Sequence, residues 1–184
     1  MKALIVFVAL CFSALPRAEA QTCSATISSV DFGSPDLLAA TPTDALATVT
    51  VSCTNIPLLT VVKMCPGIGA GAAGSSGSAR LLSSGGKTLS YQLFQDAARS
   101  QGWGALDNTQ LGSVPAIILG NILSGAGTAT RTIYARLYAD PSATAGTYVS
   151  NFTGNQTAFS YSALLFGAST NCTGFVGNAI VQDG

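Results

Sequence analysis

An all-β fold, about eight short strands with little or no helix, is what this sequence predicts, and three observations predict it. Apolar residues recur every second position rather than at the 3.6-residue period of a helix. Clusters of Gly, Pro and Asn punctuate the chain at short intervals. Polarity comes from 39 Ser and Thr residues, against 8 Lys+Arg and 8 Asp+Glu in 184 residues. Exposed helix faces usually carry Glu, Lys, Gln and Arg, whereas Ser- and Thr-rich surfaces suit strands and turns.

Residues 1–20 stand outside that fold. Lys2 gives a positive start, Ala3 to Leu15 is apolar, and Ala18-Glu19-Ala20 is a small-x-small cleavage site. This pattern predicts a secretory signal peptide, with Gln21 as the new N-terminus. The apolar run is short for ~30 Å of hydrocarbon, and no later stretch reaches ~18 uninterrupted apolar residues, so no membrane span is expected. The remaining length suits one domain over residues 21–166, with a linker-like tail over 167–184.

Each strand has its own signal. In Ala45–Cys53, Ala45, Ala47, Val49, Val51 and Cys53 share one face, opposite Thr48, Thr50 and Ser52, with Leu46 out of pattern. Leu89–Phe94, Thr130–Tyr138 and Thr157–Leu165 alternate in the same way. Further strands are expected at Ser24–Phe32, Leu58–Cys65, Val114–Leu119 and Thr147–Phe152. Turn signals such as Gly85-Gly86, Gly102-Trp-Gly104 and Asp140-Pro141 separate them. Residues 66–80 are rich in Gly, Ala and Ser and predict a flexible loop. About eight such strands predict an immunoglobulin-like β-sandwich.

Removal of the leader takes Cys11 and leaves Cys23, Cys53, Cys65 and Cys172. An even set in an exported chain predicts two disulfides, with three pairings open. The favoured pairing is Cys23–Cys53, joining the start of the first strand to the end of the second, with Cys65–Cys172 tying the tail to the third. The spacings hold no C-x-x-C pair, so no metal site is expected.

Composition argues against several functions. There is no basic excess for nucleic acid. The sequence has no His, and its one Glu, Glu19, lies in the leader. Neither Ser-His-Asp nor Cys-His catalysis is available, and no catalytic residue or cofactor is expected. Gly69-Ala-Gly71-Ala-Ala-Gly74 matches a dinucleotide-binding pattern but lacks the following helix that would receive a pyrophosphate. Ser84-Gly-Gly-Lys87 matches S-x-x-K but runs into a Gly-Gly turn.

What remains is apolar material where loops are expected. Ile56, Leu58, Ile117, Ile118 and Leu119, with Ile122 and Leu123, are candidates for an exposed adhesive patch. Trp103, the single Trp, sits between two glycines and is the strongest candidate anchor.

The order of these features resembles a known family. Phe32-Gly33 closes the first strand, Val51-Ser52-Cys53 the second, and Arg80-Leu81 follows the glycine loop. Leu89-Ser-Tyr91-Gln-Leu93 leads to Asp96 and Trp103-Gly104, and Ala145-Gly146-Thr-Tyr148 precedes Phe159-Ser-Tyr161. Over about residues 23–166 this resembles the spore coat protein U domain, the pilin-like subunit domain of archaic (Csu-type) chaperone–usher pili. The resemblance implies passage through the periplasm, with a pilus chaperone, an outer-membrane usher and neighbouring pilin subunits as partners. It further implies a cell-surface fibre for attachment to apolar or abiotic surfaces and biofilm formation. Typical subunits are sandwiches lacking a last strand, which a neighbour's N-terminal extension supplies. Only Gln21 and Thr22 would precede Cys23 after cleavage, which points to a tip-type subunit that donates no strand. Cys172-Thr-Gly174 resembles the linker of two-domain tip subunits. The alternative expectation is a secreted, spore-coat-like binding module that does not polymerise.

Overall fold

The computed structural model describes residues 21–119, 125–153, 156–165, 171–173 and 178–181. Its strands are β1 (Thr22–Ile27), β2 (Thr43–Thr54), β3 (Thr60–Ile68), β4 (Ser75–Ser76), β5 (Ala79–Ser84), β6 (Lys87–Phe94), β7 (Ile117–Leu119), β8 (Ala126–Leu137), β9 (Thr157–Leu165) and β10 (Asn178–Val181). Short 3-10 turns at Leu37–Ala39 and Thr109–Leu111 are the helical content of the described residues. All strand pairs are antiparallel. One sheet runs β1-β2-β8-β6-β5-β4 and the other β10-β9-β3-β7. The two pack face to face as the expected all-β sandwich, with the core between them.

β2 and β8 form the longest ladder, from Thr43↔Leu137 to Thr54↔Ala126. Ala47, Val49, Val51 and Cys53 of β2 and Ile133, Ala135 and Leu137 of β8 are buried in the core. Intervening Thr and Ser residues face outward, as the period of two requires. Leu46 breaks the pattern on the outer face and is 62% exposed. From the second sheet, Val62, Met64, Ile68 and Phe159 complete the core.

β3 is buried on both faces along Val62–Ile68. Its outward residues are covered by the chain near residue 172: Cys65 bonds to Cys172, and Lys63 Nζ donates to Asn171 O at 2.9 Å. The second disulfide, Cys23–Cys53, joins β1 to β2 at directly opposed positions.

Several expected elements differ. Residues 66–80 are not one flexible loop: β3 continues to Ile68, and the chain returns through β4 into β5. The β5–β6 hairpin turns on Gly85 and Gly86, both at positive φ, as a two-residue primed turn demands. The strand expected at Thr147–Phe152 is absent; that segment is held by mutual hydrogen bonds between Ser83 and Val149 and by Ala72 N donating to Asn151 O. The strand expected from Val114 starts at Ile117, beyond Pro115, which lacks the N–H a ladder needs. Within 167–184, where no strand is expected, β10 pairs with β9 from Asn178↔Tyr161 to Val181↔Ala158.

Candidate functional site

The ladder registers bring several chain connections to one end of the sandwich. Thr22 pairs with Thr54, and Thr54 pairs with Ala126. Thr60, at the start of β3, pairs with Leu165 at the end of β9. The β2–β3 connection, Asn55–Leu59, therefore lies beside the start of β8.

That connection is built from an anchor and a tip. Ile56 is 5% exposed and joins the core, and its N–H donates to Gly125 O at 2.8 Å. Thr60 Oγ1 donates to Pro57 O at 2.7 Å and closes the turn. Asn55 (φ 55°) and Leu59 (φ 60°) adopt left-handed backbone, which is unfavourable for a Leu. The result holds Leu58, 66% exposed, and Leu59, 76% exposed, in water. Ile122 and Leu123, the other loop candidates at residues 120–124, lie outside the described residues.

The remaining candidates are placed differently. Trp103 is fully buried, which corrects its reading as an exposed anchor. Its indole N–H donates to Pro66 O at 2.8 Å, and the Arg131 guanidinium lies 5.9 Å from its ring centroid. The flanking glycines serve close packing, not an exposed bend. A Cβ on Gly104 would lie 2.0 Å from Gly112 O, and one on Gly102 would lie 2.7 Å from Leu111 O. Ile117 and Leu119 are also buried, as alternate residues of β7 facing the core, and Ile118 between them is half-buried. The adhesive candidates therefore do not form one patch. Leu58 stands exposed, while Ile56, Ile117, Leu119 and Trp103 pack inside.

Sequence reasoning passed over a second centre. Arg80, on β5, is fully buried, and among the described residues no carboxylate forms an ion pair with it. Its Nε donates to Gly69 O at 2.7 Å, and its Nη2 donates to Ile68 O at 2.6 Å and Trp103 O at 2.7 Å. Its Nη1 donates to Gln92 Oε1. Burial lowers the guanidinium pKa to about 10. Gln92 extends the network by donating to Ser78 O and Leu111 O. Arg80 thus ties the glycine loop, the end of β3 and the Trp103 segment to one hub. The residues of the dinucleotide-like pattern are occupied here: Gly69 O accepts from Arg80, and Gly71 N donates to Gln156 Oε1. β4 follows them, not a helix.

Asp44, Arg136 and Arg99 form one cluster of paired surface charges. Arg136 grips Asp44 through two hydrogen bonds of 2.8 and 3.0 Å, and Arg99 adds a contact at 3.2 Å. The Arg136 hydrogen bonds hold the Asp44 carboxyl below the usual range. Among the described residues no three His, Cys, Asp or Glu side chains gather as a metal site, and no helix is long and apolar enough to cross a membrane.

No curated protein matches the sequence. Among solved structures, the chain is similar to one in the CsuC–CsuE chaperone–tip adhesion subunit pre-assembly complex from archaic chaperone–usher Csu pili of Acinetobacter baumannii. The two are 17% identical with a TM-score of 0.43, over 79% of this chain and 40% of that chain. The family model of the Spore Coat Protein U domain matches residues 9–155, most of the sequence. The chain belongs to the Spore Coat Protein U domain family.

Proposed function

We propose that this protein is a structural and adhesive subunit of an archaic chaperone–usher pilus, tip-type, and not an enzyme. Family membership supports the pilus reading. The observation that carries the adhesive reading is the Asn55–Leu59 turn. It fixes two adjacent Leu side chains in water on a pinned backbone, at one end of the sandwich. Exposed apolar groups on a rigid support gain from contact with an apolar surface by about 25 cal/mol per Å2 removed from water, with little ordering cost. β10 on the outer edge of β9 supports a tip position, because a domain that covers that edge itself has less need of a neighbour's strand there. The partners in this reading are a periplasmic pilus chaperone, an outer-membrane usher and an adjoining pilin. Its path runs through the periplasm to a surface fibre that contributes to biofilm. The disulfides suit that oxidising route.

The test is attachment of cells carrying the pilus to polystyrene and to clean glass. Leu58→Ser with Leu59→Ser should cut attachment to polystyrene several-fold and leave subunit export and stability unchanged. Undiminished attachment would remove the adhesive role, and failure to co-purify with a periplasmic pilus chaperone co-expressed with it would remove the pilus role.

A further inference from the structure

The two disulfides differ in their surroundings. Cys23–Cys53 bridges directly opposed residues inside the continuous β1–β2 ladder. Cys65–Cys172 joins the fully buried Cys65 of β3 to a residue that lies in no strand. Cys172 is 8% exposed, and its neighbours Asn171 and Thr173 are exposed. Cys172 also lines a cleft of about 470 Å3 that opens to solvent. The other walls include Leu106, Thr109, Ser113, Val114 and Thr173, and no charged side chain lines it.

A cation flanks the same bridge. Lys63 and Cys65 are alternate residues of β3 and so share its outward face. Lys63 is 5% exposed, and its Nζ donates to the backbone oxygen of Asn171, the residue before Cys172, at 2.9 Å. Thiol–disulfide exchange is fast where one sulfur can be reached and the other departs readily as a thiolate. The cleft gives access to Cys172, and a neighbouring ammonium favours thiolate at Cys65.

We propose that Cys65–Cys172 is a reducible latch, attacked at Cys172 by a dithiol that enters this cleft. One thiolate of the dithiol bonds to Cys172 Sγ, and Cys65 Sγ departs as a thiolate and takes up a proton. The second thiol of the dithiol then attacks the mixed disulfide and releases Cys172 as a thiol. The dithiol leaves as an internal disulfide, oxidised by the two electrons that reduce the bridge. Opening the bridge frees the chain that carries β10, whose ladder with β9 runs only from Asn178↔Tyr161 to Val181↔Ala158. The outer edge of β9 then offers unpaired N–H and C=O groups to another strand. The oxidised protein is closed at that edge, and the reduced protein accepts a strand there. The proposal goes beyond the pilus reading and stands whether or not the protein polymerises.

The experiment treats the purified, oxidised protein with dithiothreitol under native conditions. Samples are alkylated at intervals and read by mass spectrometry, with amide exchange followed in parallel. Cys65 and Cys172 should become alkylated about tenfold or more faster than Cys23 and Cys53, at a rate proportional to dithiothreitol concentration. Exchange at Asn178–Val181 should rise as those thiols appear, while β2 and β8 stay protected. Lys63→Gln should slow the reduction several-fold, and Lys63→Arg should keep the original rate. Thr109→Trp, which narrows the cleft from an exposed position, should slow it as well and serves if Lys63→Gln does not fold. Equal rates for the two bridges, or a rate independent of dithiothreitol as rate-limiting unfolding would give, would overturn the proposal. So would reduction that leaves exchange at Asn178–Val181 unchanged, or an unchanged rate in the Lys63→Gln and Thr109→Trp variants.

Discussion

A lone Trp between two glycines can face water or lie in the tightest packing of a fold, and the chain that passes beside it decides which. Here Gly102 and Gly104 let the Leu111–Ser113 backbone approach Trp103 closely, and the indole is sealed inside. The indole's own acceptor, Pro66 O, lies 37 residues away in sequence, so nothing local marks the site. Arg80 was illegible for the same reason. Its acceptors come from Ile68, Gly69, Gln92 and Trp103, which only the folded chain assembles around it. Leu58, by contrast, was legible, because a Leu after Pro57 in a short connection has little to pack against. This distinction yields opposite expectations in urea unfolding. Trp103→Ala should cost about 3–5 kcal/mol through its cavity. Arg80→Met should cost a similar ~3–5 kcal/mol by stranding a buried polar network. Leu58→Ser should change stability by less than ~0.5 kcal/mol, as an exposed position does.

Strands were legible where one face meets the core and the other meets water. β2 and β8 alternate cleanly because both lie inside a two-sided antiparallel sheet. β5 was missed because Arg80 shares its inward face with Leu82, and Ser83 and Ser84 beside them suppress the apolar signal. Thr147–Phe152 misled in the other direction. Tyr148 and Phe152 do pack against the core, but the backbone bonds to Ser83 and Ala72 instead of joining a ladder. β10 escaped notice because its position depends on a covalent tie elsewhere. Cys172, bonded to Cys65, delivers the chain to the edge of β9. Replacing Cys65 and Cys172 by Ala should cost about 4–5 kcal/mol on the chain-entropy account of a 107-residue separation. Amide exchange at Asn178–Val181 should accelerate in that variant far more than exchange in β2 and β8. Equal acceleration everywhere would show that the bridge stabilises the whole sandwich without holding β10 in particular.

For the molecule as a whole, the sparse charge that argued against catalysis has a thermodynamic consequence. The sequence contains no His, and its single Glu, Glu19, falls in the expected leader, so below neutrality the side chains that titrate in the domain are Asp carboxylates. The structure lowers the pKa of three of them. Arg136 hydrogen bonds act on Asp44, the Gln101 amide followed by Ser100 acts on Asp96, and the Ser142 hydroxyl followed by its amide acts on Asp140. A lowered carboxylate pKa means the unfolded chain binds more protons in the window between the two values. Stability from these groups is therefore present above the unfolded value of about 3.9 and is lost as pH falls through the folded values. Between about pH 5 and 7 no side chain changes its charge in either state, so the unfolding free energy should be nearly flat there. Urea unfolding across pH 2 to 7 should give a plateau followed by one acid-side decline. Asp44→Asn and Asp96→Asn should each shrink that decline by removing a group whose protonation favours the unfolded chain. The two effects should depart from simple addition, because Arg99, which contacts Asp44, sits in the turn that Asp96 holds. A second slope near pH 6 would contradict the assignment, since no His is present to produce it.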